Sequence, residues 1–167
     1  HRRAGEADRI EGSYAWRYRC LEGEWSFIDG YLGPQSCQVS AELGDFVVAK
    51  KEGNPAYQLA VVVDDHAMQI TEVVRGDDLL ASTFRQLQLY STFGWSPPKF
   101  YHVPLVVGPD GKRLAKRHGD SRLAYYRERN VPPQRILGLL AYSIGLQPDC
   151  RESVSYTHLR AHETTCD

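Results

Sequence analysis

Two apolar runs rich in strand-forming residues, ITEVV at 70–74 and FYHVPLVV at 100–107, flank a segment whose apolar positions recur at helical spacing. Strands alternating with helices point to an α/β domain rather than a helical bundle or a β-sandwich. The intervening helix is expected to begin near Thr83, because Thr83 and Gln86 have the T-x-x-Q spacing of a capping box. Leu87 and Tyr90 continue a buried stripe, and Gly94 closes the helix. Pro104 removes a ladder donor, which predicts an edge strand or a bulge in the second run. Two or three strands cannot make a covered parallel sheet. The chain therefore reads as the later part of a larger α/β fold, incomplete at its beginning.

The rest of the chain divides on the same criteria. Residues 14–20 (YAWRYRC) and 25–28 (WSFI) are aromatic and partly alternating, and the turn at Glu22, Gly23 and Glu24 predicts a hairpin between them. Gly30, Gly33 and Pro34 then open a loop. Residues 45–50 read as a strand and 51–55 as a turn. The run at 57–65 (YQLAVVVDD) is ambiguous: three consecutive valines favour a strand, whereas Leu59, Val62, Val63 and His66 recur at helical spacing. Gly108, Pro109, Asp110 and Gly111 match a type I turn, so 112–115 should return as the second arm of a hairpin. Residues 121–129 and 133–146 read as helices, with Pro133 at a first helical position and Gly145 as terminator. From residue 154 the apolar periodicity vanishes. Residues 151–167 read as a non-native tail, of the adapter-derived kind that ends many sequencing-based gene models.

Composition excludes several classes. With 42% hydrophobic and 25% charged residues, the 167-residue chain has the make-up of one globular domain. No run approaches the ~18 to 20 apolar residues that span a bilayer, and the charged start has no signal-peptide pattern, so a cytoplasmic location is expected. Cys20, Cys37, Cys150 and Cys166 form no CxxC or CxC pair, which predicts reduced thiols and no zinc site in this part of the chain. A formal net charge of -1 denies a global nucleic-acid footprint. Locally the balance differs. Residues 109–130 carry seven basic against three acidic side chains, a balance of +4, and residues 42–78 carry three against eight, a balance of -5. The basic segment fits either a polyanion contact or a solvated face.

Chemistry concentrates in residues 108–120, GPDGKRLAKRHGD. A tight hairpin presenting Lys112, Arg113, Lys116 and Arg117 between glycines suits closure over phosphates, because their cations neutralise the charge that builds in nucleotidyl transfer. Asp64, Asp65 and His66 have metal-ligand chemistry, but adjacent side chains diverge on a helix or a strand and seldom converge on one ion, so no metal site is expected. His102 and His118 lack a nucleophile partner and read as structural or loop residues.

The segment Arg113, Leu114, Ala115, Lys116, Arg117 resembles the KMSKS loop of class I aminoacyl-tRNA synthetases, in the K-L-S-K-R-H-G form of the glutamate branch. Arginine replaces the first lysine and alanine the serine, while the second lysine, Lys116, is kept. The resemblance covers residues 44–146 and includes AYQLAVVVDDHAMQITEVVRGDDLLASTFRQ and PKFYHVPLVVGPDGKRLAKRHG. It is closer to the short glutamyl-Q tRNA(Asp) synthetases than to the full-length glutamyl-tRNA synthetases, which usually carry asparagine where Gln58 stands.

What the resemblance implies is the carboxyl-terminal part of a Rossmann-like catalytic domain, lacking the HIGH motif and half of the ATP site. This fragment alone would be inactive. Residues 1–43 would be a remnant of the inserted region that binds the tRNA acceptor end, 44–107 the second half of the nucleotide-binding fold, and 108–150 the KMSKS-like loop with its following helices. Lys116 would stabilise the leaving pyrophosphate and Arg113 to Arg117 would line the ATP. Arg75 and Tyr57 would hold L-glutamate. Residues 57–68 would be largely helical. ATP with magnesium, L-glutamate and tRNA would be the partners of a monomeric enzyme. A full-length glutamyl-tRNA synthetase and a non-catalytic tRNA-binding module are the alternatives.

Overall fold

A computed structural model describes residues 14–107 and 123–148. The turn and returning arm expected at 108–115, the loop residues Arg113, Leu114, Ala115, Lys116 and Arg117, and the tail at 151–167 lie outside the described residues. The chain forms two compact units, residues 1–103 and 104–167.

The first unit is α/β. In order it contains β1 (Trp16–Tyr18), β2 (Trp25–Asp29), β3 (Gly33–Cys37), α1 (Val39–Glu42), β4 (Phe46–Ala49), α2 (Tyr57–Ala67), β5 (Glu72–Gly76), α3 (Leu80–Phe93) and β6 (Lys99–Val103). A 3-10 turn over Asp77–Leu79 leads into α3. β5 and β6 run parallel, as a strand-helix-strand crossover through α3 requires, with Val73 opposite Phe100 and Arg75 opposite His102. Period-2 alternation then turns Val73, Arg75, Phe100 and His102 to one face of this pair. Phe100 and His102 are buried there, whereas Val74 on the other face is exposed.

The core forms where that face meets α2, α3 and the β2–β3 hairpin. Val39, Val62, Phe84, Leu89 and Tyr90 are buried in it. Phe27 of β2 packs edge-on against Phe84 and Phe100, with ring centroids 5.3 and 5.9 Å apart. Burial of one such ring contributes ~1.5 to 3 kcal/mol. Gly30 lies against the aromatic ring of Tyr101 and donates its N–H to the Phe100 carbonyl at 2.8 Å. A Cβ at this position would fall 2.1 Å from that ring, so glycine permits the hairpin to reach β6.

Several expectations are corrected. Residues 14–20 and 25–28 do not form a hairpin: β1 pairs antiparallel with β4, and β2 with β3. Alternation identifies extended residues but not their partners. Tyr18 finds its own on distant elements, packing at a tilt against Phe46 with ring centroids 5.2 Å apart and hydrogen-bonding Thr92 at 2.6 Å. The Gln88 amide both accepts from and donates to the Leu21 backbone, at 3.0 and 3.2 Å, tying the same segment to α3. Gly33 and Pro34 belong to β3 rather than a loop. Proline is tolerated there because β3 has only β2 as a neighbour among the described strands.

The valine-rich run is helix α2, as the resemblance implied and against its β-propensity. Each β-branched residue costs a helix only ~0.5 kcal/mol, and complete burial of Val62 offsets more than that. Helix α3 starts at Leu80, not near Thr83, and has no side-chain cap. Thr83 and Gln86 are buried a turn inside the helix. Gly94 does end it, in the left-handed conformation at φ 69°. β6 stops at Val103, before Pro104.

In the second unit, α4 (Leu123–Glu128) and α5 (Pro133–Ser143) are separated at residues 129–132, with Pro133 opening α5. Gly145 beyond it has φ 74°. No described helix is long and apolar enough to cross a membrane.

Candidate functional site

Arg75, one residue before the end of β5, lies at the carboxyl end of a parallel pair, where α/β sheets place their ligands. Its side chain is half-buried and held from several directions. Nε donates to His102 Nε2 at 3.1 Å. Nη2 donates to the Thr83 hydroxyl and to Gln86 Oε1, the latter at 2.8 Å. Tyr57 lies near enough to raise the Arg75 pKa, so both residues read as a glutamate pocket come together. Burial pushes the Arg75 pKa down, and Tyr57, Asp65 and Tyr90 push it back up. A guanidinium so placed stays charged.

The T-x-x-Q spacing is also the i, i+3 spacing of one helix face. On α3 that face meets Arg75 rather than the solvent. Gln86 passes its own amide hydrogen to Gln58 Oε1 at 3.0 Å, and Gln58 donates to Ser82 at 3.0 Å, so α2 and α3 are joined through the residues that hold the arginine. Thr83 Oγ1 is 2.9 Å from His102 Nε2.

His102, read as structural or as a loop residue, occupies a central position in this network. It is fully buried in β6 and its Nδ1 is 2.6 Å from Asp29 Oδ2. Since Nε2 must accept from Arg75, the ring hydrogen sits on Nδ1 and points at Asp29. Asp29 closes β2 and also accepts from the backbone N–H groups of Tyr31, Leu32 and His102, at 2.9 to 3.2 Å. Burial alone would raise its pKa. The Leu32 N–H, the His102 ring and the other backbone donors prevail and hold the carboxyl below its ordinary value of 3.8. The only sequence signal for this pair was alternation, which puts His102 on the face of Phe100. Nothing local links it to Asp29, 73 residues earlier.

A depressed native pKa means that the Asp29 carboxylate stabilises the fold fully above the unfolded value, and that this contribution drains away as pH falls through the native one. Asp29→Asn, which sets an NH2 group against these donors, should cost about 3 kcal/mol at neutral pH. In urea melts the difference from the parent should stay flat down to about pH 5 and shrink below about pH 4. A difference independent of pH would show that the carboxylate is not ionised in the fold.

The Asp64, Asp65 and His66 cluster does not converge: His66 stacks on the Trp95 indole with centroids 3.8 Å apart. Among the described residues no group of three His, Cys, Asp or Glu side chains could hold a metal ion. Cys20 and Cys37 are buried free thiols whose pKa values burial raises. A separate cleft of about 680 Å³ at the amino-terminal ends of β5 and β6 includes Asp65, Tyr90 and Lys99 but not Arg75. Burial, with Asp65 adding to it, pushes the Tyr90 pKa up to about 12.

A parallel strand pair joined by a crossover helix, with an arginine near its carboxyl end, is the geometry of an α/β fold, and sequence comparison specifies the kind. Residues 7–162 match the catalytic domain of the class I tRNA synthetases for E and Q, and the chain belongs to that family. It is 49% identical over 147 residues to a glutamyl-Q tRNA(Asp) synthetase of Rhodopirellula baltica, covering 85% of this chain and 45% of the relative. It is 47% identical over 119 residues to glutamate–tRNA ligase 2 of Rhodospirillum centenum, covering 71% of this chain and 25% of that one. A solved structure of a glutamate tRNA ligase from Elizabethkingia meningosepticum, in complex with its amino acid, aligns with a TM-score of 0.62 at 32% identity. That alignment covers 74% of this chain and 28% of the solved one. The chain thus spans less than half the length of the relatives it matches.

Proposed function

We propose that this chain is the carboxyl-terminal part of the catalytic domain of an enzyme that activates L-glutamate with ATP and passes the glutamyl group to tRNA, with queuosine of tRNA(Asp) as the acceptor. The observation that carries the reading is the state of Arg75. Its described hydrogen bonds go to neutral acceptors, His102, Thr83 and Gln86, so its charge is held in place without a carboxylate among these contacts. Such a group is ready for an anionic ligand and suits a carboxylate through parallel N–H···O bonds.

In the first step a glutamate carboxylate oxygen attacks the α-phosphorus of ATP. The bond to the β-phosphate bridging oxygen breaks, and pyrophosphate leaves. Lys116 neutralises the charge that grows on the departing phosphates, and Arg113 to Arg117 lie along the nucleotide. A tRNA hydroxyl then attacks the glutamyl carbonyl and releases AMP. The reading takes ATP, L-glutamate and tRNA as partners of a cytoplasmic monomer.

The queuosine acceptor is favoured by the 49% identity to a glutamyl-Q tRNA(Asp) synthetase and by Gln58. The Gln58 amide reaches both Gln86 and Ser82, and an asparagine there, one methylene shorter, would not span the same distance. Glutamate tRNA as the acceptor is the second reading, favoured by the 47% identity to a glutamate–tRNA ligase. Expression of the complete reading frame and a glutamylation assay decides between them. Transfer to queuosine-containing tRNA(Asp), with none to unmodified tRNA(Glu), is the expected result. The reverse pattern would establish the second reading, and failure to form glutamyl-adenylate would remove both.

A further inference from the structure

Within the reading of Arg75 as a glutamate ligand, we propose that Asp29 and His102 are positioning residues: together they fix the orientation in which the Arg75 guanidinium meets the substrate carboxylate. Neither touches the substrate in this arrangement. They act through the arginine.

The geometry forms a rigid path from the backbone to the guanidinium. Asp29 cannot swing, because its two oxygens accept from three backbone N–H groups and from the His102 ring. The imidazole cannot turn, because Nδ1 is held by Asp29 and the ring packs between Phe100 and Phe27, with centroids 6.1 and 6.3 Å away. The strand register places His102 directly opposite Arg75, so its remaining nitrogen can take the Nε hydrogen and set the plane of the guanidinium. Thr83 and Gln86 then fix rotation within that plane.

The arrangement also solves an electrostatic problem. A carboxylate in direct contact would hold an arginine as firmly, but it would compensate the charge that the ligand must find. Here the negative group stands one residue behind, engaged by its own donors, and the arginine meets neutral acceptors.

A purely structural network makes the opposite prediction from a positioning one. His102→Phe keeps a ring between Phe27 and Phe100 but offers Arg75 no acceptor. His102→Gln loses the ring but can present an amide oxygen to Nε. If the role is positioning, His102→Phe in the complete enzyme should raise the glutamate KM by roughly 10- to 100-fold, the penalty for a buried donor without its partner, with kcat at saturation within about threefold. His102→Gln should restore most of the affinity although it packs less well.

The reverse order, with His102→Phe near the parent and His102→Gln impaired, would overturn the proposal. So would a parent-like KM in both variants beside a raised KM in Arg75→Ala. If Arg75→Ala itself leaves the glutamate KM unchanged, the glutamate reading of the site fails, and the positioning role with it. A further measurement does not depend on either variant folding. Nitrogen-15 spectra of the parent enzyme labelled at histidine should show His102 carrying its hydrogen on Nδ1 with an unprotonated Nε2. A hydrogen on Nε2 would overturn the proposal, since that nitrogen could not accept from Arg75.

Discussion

Replacing Lys116 by alanine in the complete enzyme is expected to slow glutamyl-adenylate formation by roughly 100- to 1000-fold while leaving glutamate affinity nearly unchanged, which is the usual cost of removing one preorganised charge stabiliser. Lys116 is the lysine retained in the KMSKS-like run, where arginine and alanine stand at the first and third positions. A cation that meets the phosphates only as pyrophosphate departs contributes mainly to the transition state, so its loss appears in the rate at saturation. A group that bound substrate and transition state equally would change KM instead. Pre-steady-state adenylation across a glutamate titration separates the two. Normal adenylation at saturation with weakened glutamate binding would reassign the basic segment, and a tRNA contact would then be its better explanation. The +4 balance of residues 109–130 suits such a contact equally well.

The Arg75→Ala variant should show the converse pattern, with the glutamate KM rising on the order of 100-fold and a smaller change in kcat, because a desolvated charge partner is lost from binding. It should also lose stability. The hydroxyl of Thr83 and the acceptors on Gln86 and His102, all buried, would each lose the arginine donor they now receive, and only His102 keeps a second one, the Thr83 hydroxyl. Arg75→Lys provides the control, since a lysine keeps the positive charge but cannot present three directed donors to those acceptors and a fork to the ligand. A KM between those of the parent and the alanine variant is expected for it. Equal KM values for parent and Arg75→Ala, measured under conditions where both are folded, would place the amino-acid pocket elsewhere.

The residues expected to bind glutamate were identifiable only by resemblance. Tyr57, read without it, is a packing aromatic, and Arg75 is an arginine at a strand end. The structure brings them close enough for Tyr57 to raise the Arg75 pKa, at positions 18 residues apart in sequence and on different elements. Thr83 and Gln86 illustrate a local pattern with two meanings. Their spacing satisfies a capping box and equally a shared helix face, and choosing between them requires knowing what the face meets. The half-buried arginine decides it. Gln58 was noticed only as a substitution relative to the full-length enzymes, and its role in joining α2 to α3 emerges from the contacts it makes.

By itself, the sequence determined that the chain is α/β, that a helix closed by Gly94 connects two strands, that residues from 100 onward form the second of them, and that residues 108–120 carry the charges suited to phosphates. These properties are local: a period of 2 or 3.6, a glycine that tolerates positive φ, a cluster of cations. Tertiary structure alone decided that β1 pairs with β4 instead of its neighbour and that Asp29, His102 and Arg75 form one line of hydrogen bonds, and it resolved the ambiguous periodicity of the valine-rich run in favour of the helix that the resemblance implied. Strand pairing and buried polar contacts are fixed by the free energy of groups far apart along the chain, where the burial of Val62 outweighs a propensity and the needs of a desolvated carboxylate select its donors. That free energy exists only once the elements have packed.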